Sequence, residues 1–169
     1  LFGNVLISPA LIHRLADEGK SLVLLSEHGR FKARMEGPVS GNILLRQAQY
    51  ARAGDPAFAL AIARAVVAGK IKNTRQLLLR GGREAKDDDD RTRLTRRADD
   101  LAASLRALPT AGDLDTVRGL EGEAARQYFA GLNLVLRPEA RAVFAMDGRS
   151  RRPPRDRINA LLSFLYAML

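Results

Sequence analysis

The chain predicts an α+β fold, mainly α, on three observations. Residues 1–36 alternate between strand-like and helix-like patterns, whereas from residue 42 onward the apolar spacing is helical throughout. A turn-rich stretch, Glu36-Gly-Pro-Val-Ser-Gly41, separates the two regimes. The apolar content of 46% is sufficient for a core, and with 5% aromatics and no Trp that core is built from Leu, Ala, Val and Ile.

Taken in order, Asn4–Ser8 is a short apolar strand candidate. Ser8-Pro9 caps and opens a helix that reaches Glu18, where Gly19 stops it. Residues 21–26 read as a buried strand, residues 27–30 as a turn and residues 31–35 as the returning strand of a hairpin. These features describe the tail of a small β-rich domain, residues 1–36. Residues 37–41 are the linker, and residues 42–169 a helical domain. His13, on a helix, and His28, in a turn, are surface residues by position.

Asn42 caps a helix carrying Ile43, Leu44, Gln47, Ala48 and Ala51, closed by Gly54. Asp55-Pro56 opens the next, whose Ala57–Ala68 segment is apolar on every side and predicts deep burial. Its continuation to Arg80 turns basic on one face, and Gly81-Gly82 should end it. Asp87–Asp90 reads as a solvated loop and helix N-terminus, where negative charge suits the helix dipole. Aspartates adjacent in sequence lack the interleaved spacing of a calcium loop, so they are not expected to converge on an ion. A third helix, residues 91–108, turns Leu94, Ala98, Leu101, Leu105 and Leu108 inward.

The helix of residues 114–132 breaks two local rules at one point. Leu114, Val117, Ala124, Ala125, Tyr128 and Leu132 form its inward stripe, yet Glu121 sits on that stripe. A carboxylate on an apolar face costs several kcal/mol unless it is paired or holds a metal. Gly119 and Gly122 flank it, each costing about 1 kcal/mol relative to Ala inside a helix. An ion pair with one of the many arginines and a metal or catalytic role both account for Glu121 at this stage. The second anomaly is Arg149-Ser-Arg-Arg-Pro-Pro-Arg-Asp-Arg157, five arginines in nine residues, which Pro153-Pro154 keep out of a helix. Arg149, Arg151, Arg152 and Arg155 there suit bidentate contacts to phosphates. An apolar helix, residues 158–169, follows directly.

The 28 Lys and Arg against 19 Asp and Glu give a net charge of +9, which favours nucleic acid or another polyanion as partner. With no cysteine, disulfides and thiolate metal sites are excluded. No apolar run approaches the roughly 20 residues that cross a bilayer, and no signal-peptide pattern appears, so a cytoplasmic, membrane-free protein is expected. The chain starts at Leu1 and ends within an apolar run at Leu169, and is read as a fragment lacking both ends.

Three segments in this order resemble one family: Phe31-Lys-Ala-Arg34 followed by Ser40-Gly-Asn-Ile-Leu-Leu-Arg-Gln-Ala-Gln49, then Leu120-Glu-Gly-Glu-Ala-Ala-Arg-Gln-Tyr-Phe129, then Arg152-Pro-Pro-Arg-Asp-Arg-Ile-Asn-Ala-Leu-Leu-Ser-Phe164. Together they resemble the CRISPR-associated integrase, the nuclease that inserts new spacers into a CRISPR array, with wording closest to the type I-C branch. The resemblance implies a β-rich N-terminal domain followed by a helical catalytic domain. It implies Mn²⁺ or Mg²⁺ held by one Glu, one His and one Asp. Glu121 matches the Glu, whereas the His and Asp would fall after residue 169, leaving this chain inactive alone. His13 and His28 precede the Glu and cannot replace them.

In the chemistry the resemblance implies, a cation neutralises charge as a 3′-hydroxyl attacks a phosphodiester. Arg46, Gln49, Arg152 and Asn159 match motif positions. The arginines suit phosphate contacts, and Asn159 suits either a DNA contact or bracing of its helix. Gln49 joins them as a DNA contact, and Tyr128 is open to DNA or to core packing. The implied partners are double-stranded DNA (protospacer and CRISPR repeat), a second copy in a homodimer, and a small ferredoxin-like companion of the CRISPR adaptation complex. Two other classes stand beside this one. One is a non-catalytic helical nucleic-acid-binding module in which Glu121 is only a salt-bridge partner. The other is a structural subunit whose basic face meets an acidic protein.

Overall fold

The structure, a computed structural model, describes residues 1–38 and 41–168. It is mainly helical with one two-stranded sheet, as the sequence predicts. Two compact units are present, Leu1–Gln49 and Tyr50–Leu169. Val39 and Ser40, within the expected linker and the first motif, and Leu169 at the end of the apolar run lie outside the described residues.

In the first unit, α1 (Pro9–Asp17) begins where Ser8 predicts, with the Ser8 hydroxyl accepting from the Leu11 N–H at 3.2 Å. Strands β1 (Leu22–Leu25) and β2 (Phe31–Met35) form the expected antiparallel hairpin, pairing Leu22 with Met35 and Leu24 with Ala33. Asn4–Ser8 is not a strand. Leu6 is fully exposed and Ser8 is taken up by capping. The extended pairing comes earlier, where Phe2 bridges Leu25 in parallel and Leu25 donates to the Leu1 carbonyl at 2.8 Å. The outer edge of β1 is thus covered by the first three residues. Gly37 passes so close to α1 that a Cβ there would lie 2.7 Å from the Ala16 carbonyl oxygen, and only glycine fits. His13 and His28 are exposed, as expected.

Helix α2 (Ile43–Ala53) runs from the first unit into the second, and Asn42 caps it by accepting from the Leu44 N–H at 2.9 Å. The second unit contains α3 (Pro56–Glu84), α4 (Asp88–Ala107), α5 (Leu114–Val135), α6 (Pro138–Phe144) and α7 (Arg157–Met168). A 3₁₀ turn, Leu108–Thr110, joins α4 to α5. The core lies where α3, α4 and α5 meet, around Ile71, Leu78, Leu94, Ala98, Leu101, Leu108, Val117 and Ala124. All five positions expected to face inward do so, Leu105 partly and Leu108 from the 3₁₀ turn, although α4 starts at Asp88, three residues earlier than expected.

Two expectations for α3 are corrected. The Ala57–Ala68 segment is not deeply buried: Val67 is its only buried residue, while Ile62 and Val66 are 48% and 65% exposed. Apolar composition reported helix propensity there: Leu60 and Ala63 pack against the core, while the opposite side of the same turns stays open. Gly81 and Gly82 do not end the helix; both are buried inside it. At Gly81 an added Cβ would sit 3.0 Å from Val135 Cγ2 and 3.4 Å from Leu94 Cδ1. The missing side chain lets α5 and α4 press against the α3 backbone, so the glycines serve packing rather than termination.

Helix α6 is a short element the sequence did not signal. Asn133, near the end of α5, holds the chain that follows α6, donating to the Met146 carbonyl and accepting from the Met146 N–H at 2.8 and 2.9 Å. Helix α7 leaves Leu161, Phe164, Leu165 and Tyr166 about half exposed. Among the described residues no helix is long and apolar enough to cross a membrane.

Candidate functional site

Helix α5 starts at Asp113, whose carboxylate accepts from the Thr116 N–H at 2.7 Å, and this bond lowers its pKa. Along the helix Val117 and Ala124 are buried as expected, with Ala125, Tyr128 and Leu132 partly so. Leu114 departs from the stripe and is 44% exposed, because the helix has not yet reached its neighbours. The buried positions that apolar patterning missed are Gln127 and Gly131. Gly131 admits the Leu78 and Arg97 side chains, each 3.1 Å from where its Cβ would be.

A polar relay fixes the rotation of α5. Arg97 of α4 donates through Nη1 to Gln127 Oε1 at 3.0 Å, and Gln127 Nε2 donates to Glu123 Oε1 at 2.9 Å. Glu123 also receives a bidentate fork from Arg126, at 2.6 and 2.8 Å. Arg126 first, and then Gln127, hold the Glu123 pKa down to about 2. With Val117 and Ala124 in the core and this relay on the flank, Glu121 has one direction left.

Glu121 opens into a cavity of about 490 Å³ between α3, α5 and the chain leading into α7. Lys70, Arg118, Arg149 and Arg151 line it beside Tyr128, Phe129 and Tyr166, and Glu121 is the only carboxylate among the lining residues. The Lys70 ammonium lies 2.5 Å from Glu121 Oε1. Glu121 therefore pairs, but with a lysine on α3 rather than with an arginine. Its side chain is 37% exposed and that of Lys70 50%, so the pair contributes about 0–1 kcal/mol after solvent screening. An added Cβ on Gly119 or Gly122 would meet nothing within 4 Å, so neither glycine is required by packing.

The donor set matches one arm of a divalent-cation site and no more. Magnesium takes about six oxygens and keeps several as water, so one carboxylate is a reasonable protein ligand but not a site. The aspartates at the start of α4 behave differently from expectation. Helical winding brings a carboxylate oxygen from each of Asp87, Asp89 and Asp90 within 4.8 Å of one another, close enough to share one cation. Each nevertheless has a partner: Asp87 caps α4, Asp89 meets Arg93 at 3.5 Å, and Asp90 meets Arg141 at 2.6 Å. This cluster borders a separate cavity of about 640 Å³, lined also by Gly81, Val135 and Arg137.

The expected DNA-contacting residues divide into four groups. Arg149, Arg151 and Tyr128 line the Glu121 cavity. Tyr128 is half-buried, and burial first, then Tyr166, raise its phenol pKa, keeping the hydroxyl protonated. Arg152 and Arg155 are exposed on the loop before α7 and do not line the cavity. Arg46 and Gln49 are exposed on α2, in the first unit. Asn159 is wholly buried, so its side chain presents no surface to a ligand. Lys70, Arg118 and Tyr166 went unpredicted. The basic stretch after Ala68 was the available signal for Lys70.

A family model described as CRISPR associated protein Cas1 matches residues 1–169. A CRISPR-associated endonuclease Cas1 of Moorella thermoacetica is 52% identical over 168 residues, covering 99% of this chain and 49% of that protein. One from Chlorobaculum tepidum is 44% identical with the same coverage. The chain thus spans about half the length of these relatives. Among solved structures, a chain of a Cas6-RT-Cas1–Cas2 complex matches 99% of this chain with a TM-score of 0.68 and 29% identity, over 18% of its own length.

Proposed function

The chain belongs to the CRISPR-associated Cas1 family, and we propose that it supplies the Glu121 arm of a metal-dependent DNA endonuclease and integrase, of type I-C-like character, that inserts new spacers into a CRISPR array. The observation that carries this reading is one carboxylate facing a cavity rimmed by four cationic side chains. Cations at such a rim receive the phosphodiester backbone and fix its register without reading sequence. Arginine forks hold non-bridging phosphate oxygens in two directions, which aligns the strand across the cavity. The protonated Tyr128 hydroxyl, on the same face of α5, donates to a phosphate oxygen and does not repel it.

Glu121 would hold Mn²⁺ or Mg²⁺ through a carboxylate oxygen, and such an ion would supply charge neutralisation at the phosphate. The ligand set on this reading also needs a His and an Asp, and within residues 1–169 only Glu121 matches it. Arg152 and Arg155 extend the phosphate contacts along the loop, and Arg46 and Gln49 offer separate contacts from α2, at the start of a helical domain of residues 42–169 that follows a β-rich domain, residues 1–36, and a linker, residues 37–41. Double-stranded DNA, a second copy of the chain and a small ferredoxin-like companion of the Cas2 kind are the partners, in the cytoplasm.

A second reading, a non-catalytic helical nucleic-acid-binding module, is favoured by the Lys70–Glu121 contact, which satisfies the carboxylate without an ion. Duplex DNA binding over a salt series tests the first reading. Neutralising Lys70, Arg149 and Arg151 together (K70M/R149Q/R151Q) should lower the slope of log K against log salt by about 2–3, at roughly 0.9 per lost phosphate contact. An unchanged slope defeats the cavity as the DNA site. Excess Mn²⁺ should tighten DNA binding by the parent chain but not by Glu121→Gln; equal responses support the non-catalytic module instead.

A further inference from the structure

Asn159, in the first turn of α7, is a polar side chain with no exposed surface, and each of its amide atoms is directed at the arginine-rich loop. The amide oxygen accepts from Arg149 Nη1 at 2.8 Å and from the Ser150 N–H at 2.9 Å. The amide nitrogen donates to the Gly148 carbonyl at 2.9 Å and to Asp156 Oδ2 at 2.5 Å. Its backbone N–H donates to Asp156 Oδ1 at 2.7 Å. One side chain therefore closes the loop at both ends, residues 148–150 and residue 156.

Arg149 is restrained further. Nη1 also donates to the Ser150 carbonyl at 2.6 Å, and the guanidinium lies 5.8 Å from the Tyr166 ring centroid. A free arginine loses much rotamer freedom when it grips a phosphate, and an arginine already held in place loses little. We propose that Asn159 is a positioning residue that presets Arg149, and through the loop Arg151, at the rim of the Glu121 cavity, without touching nucleic acid itself. This rests on the reading of that cavity as the phosphate site.

A double-mutant cycle on duplex DNA affinity separates positioning from simple support of the fold. Asn159→Ala should weaken binding about five- to tenfold in the parent chain, yet change it less than twofold when Arg149 is already Ala. A role in stability alone would give equal losses in both backgrounds and would overturn the proposal. Circular dichroism at the assay temperature establishes that the variants are folded. If Asn159→Ala is not folded, the exchanged pair D156N/N159D takes its place. It keeps a carboxylate oxygen for Arg149 and an amide opposite, at the loss of the bond to the Gly148 carbonyl, and should bind DNA more tightly than Arg149→Ala does. Binding by the exchanged pair no tighter than by Arg149→Ala, although Arg149 can still donate to that carboxylate, would overturn the mechanism. Should Arg149→Ala itself leave DNA affinity unchanged, the phosphate reading of the cavity falls. Should Arg149→Ala weaken binding while Asn159→Ala does not, only the positioning role falls.

Discussion

Replacing Arg141 with Met is expected to destabilise the second unit by about 2–4 kcal/mol. Asp90 is 7% exposed and its carboxylate lies 2.6 Å from Arg141, whose own side chain is 29% exposed. Removing one member of such a pair strands a buried charge, at a cost of about 3–5 kcal/mol when burial is complete. The figure is lowered here because Asp90 lies in the first turn of α4, where the helix dipole helps a negative charge. Arg141 also donates to the Leu136 and Leu134 carbonyls at 3.0 and 2.9 Å, so the end of α5 loosens with it. Urea denaturation measures the loss. The double variant D90N/R141M should recover more than half of it, since no buried charge remains. Equal instability of the single and double variants would mean that the carbonyl contacts, not the ion pair, dominate.

Leu101→Ala is expected to cost about 2–5 kcal/mol, because the side chain is wholly buried between α3, α4 and α5 and its removal leaves a cavity. Ile62→Ala, at a 48% exposed position, should cost less than about 1 kcal/mol. The pair is informative because the two residues look equally suited to a core in sequence. Comparable losses from the same denaturation measurement would show that the Ile62 side of α3 is covered after all.

That contrast shows what the sequence made legible. Periodicity located α4 and its inward residues because a 3.6-residue repeat is a property of one helix read alone. Caps were equally legible at Ser8, Asn42 and Asp55, since the side chain and the N–H it accepts from are two or three residues apart. Burial along Ala57–Ala68 was not, because it depends on how far the neighbouring helices reach. Gly81 and Gly82 misled for a related reason: a local rule reads glycine as a stop, whereas its use here is set by Val135 and Leu94, distant in sequence.

At the site, the misfit of Glu121 on an apolar stripe was visible at once, because an ionisable group contradicts its own helix face. Its partner was not, since Lys70 lies 51 residues away on another helix. Asn159 shows the remaining limit. Its motif position suggested contact with DNA, but only the folded loop shows that its amide is used up within the protein.

The half-exposed apolar side chains of α7 have a consequence for the chain in solution. A net charge of +9 keeps copies apart at low ionic strength, where the repulsion reaches well beyond molecular contact. Added salt shortens that reach, to about 8 Å at 0.15 M and about 3 Å at 1 M, but leaves the attraction between Leu161, Leu165 and their counterparts on another copy intact. Colloidal stability should therefore fall as salt rises, so that dilute buffer, not saline, keeps the protein dispersed.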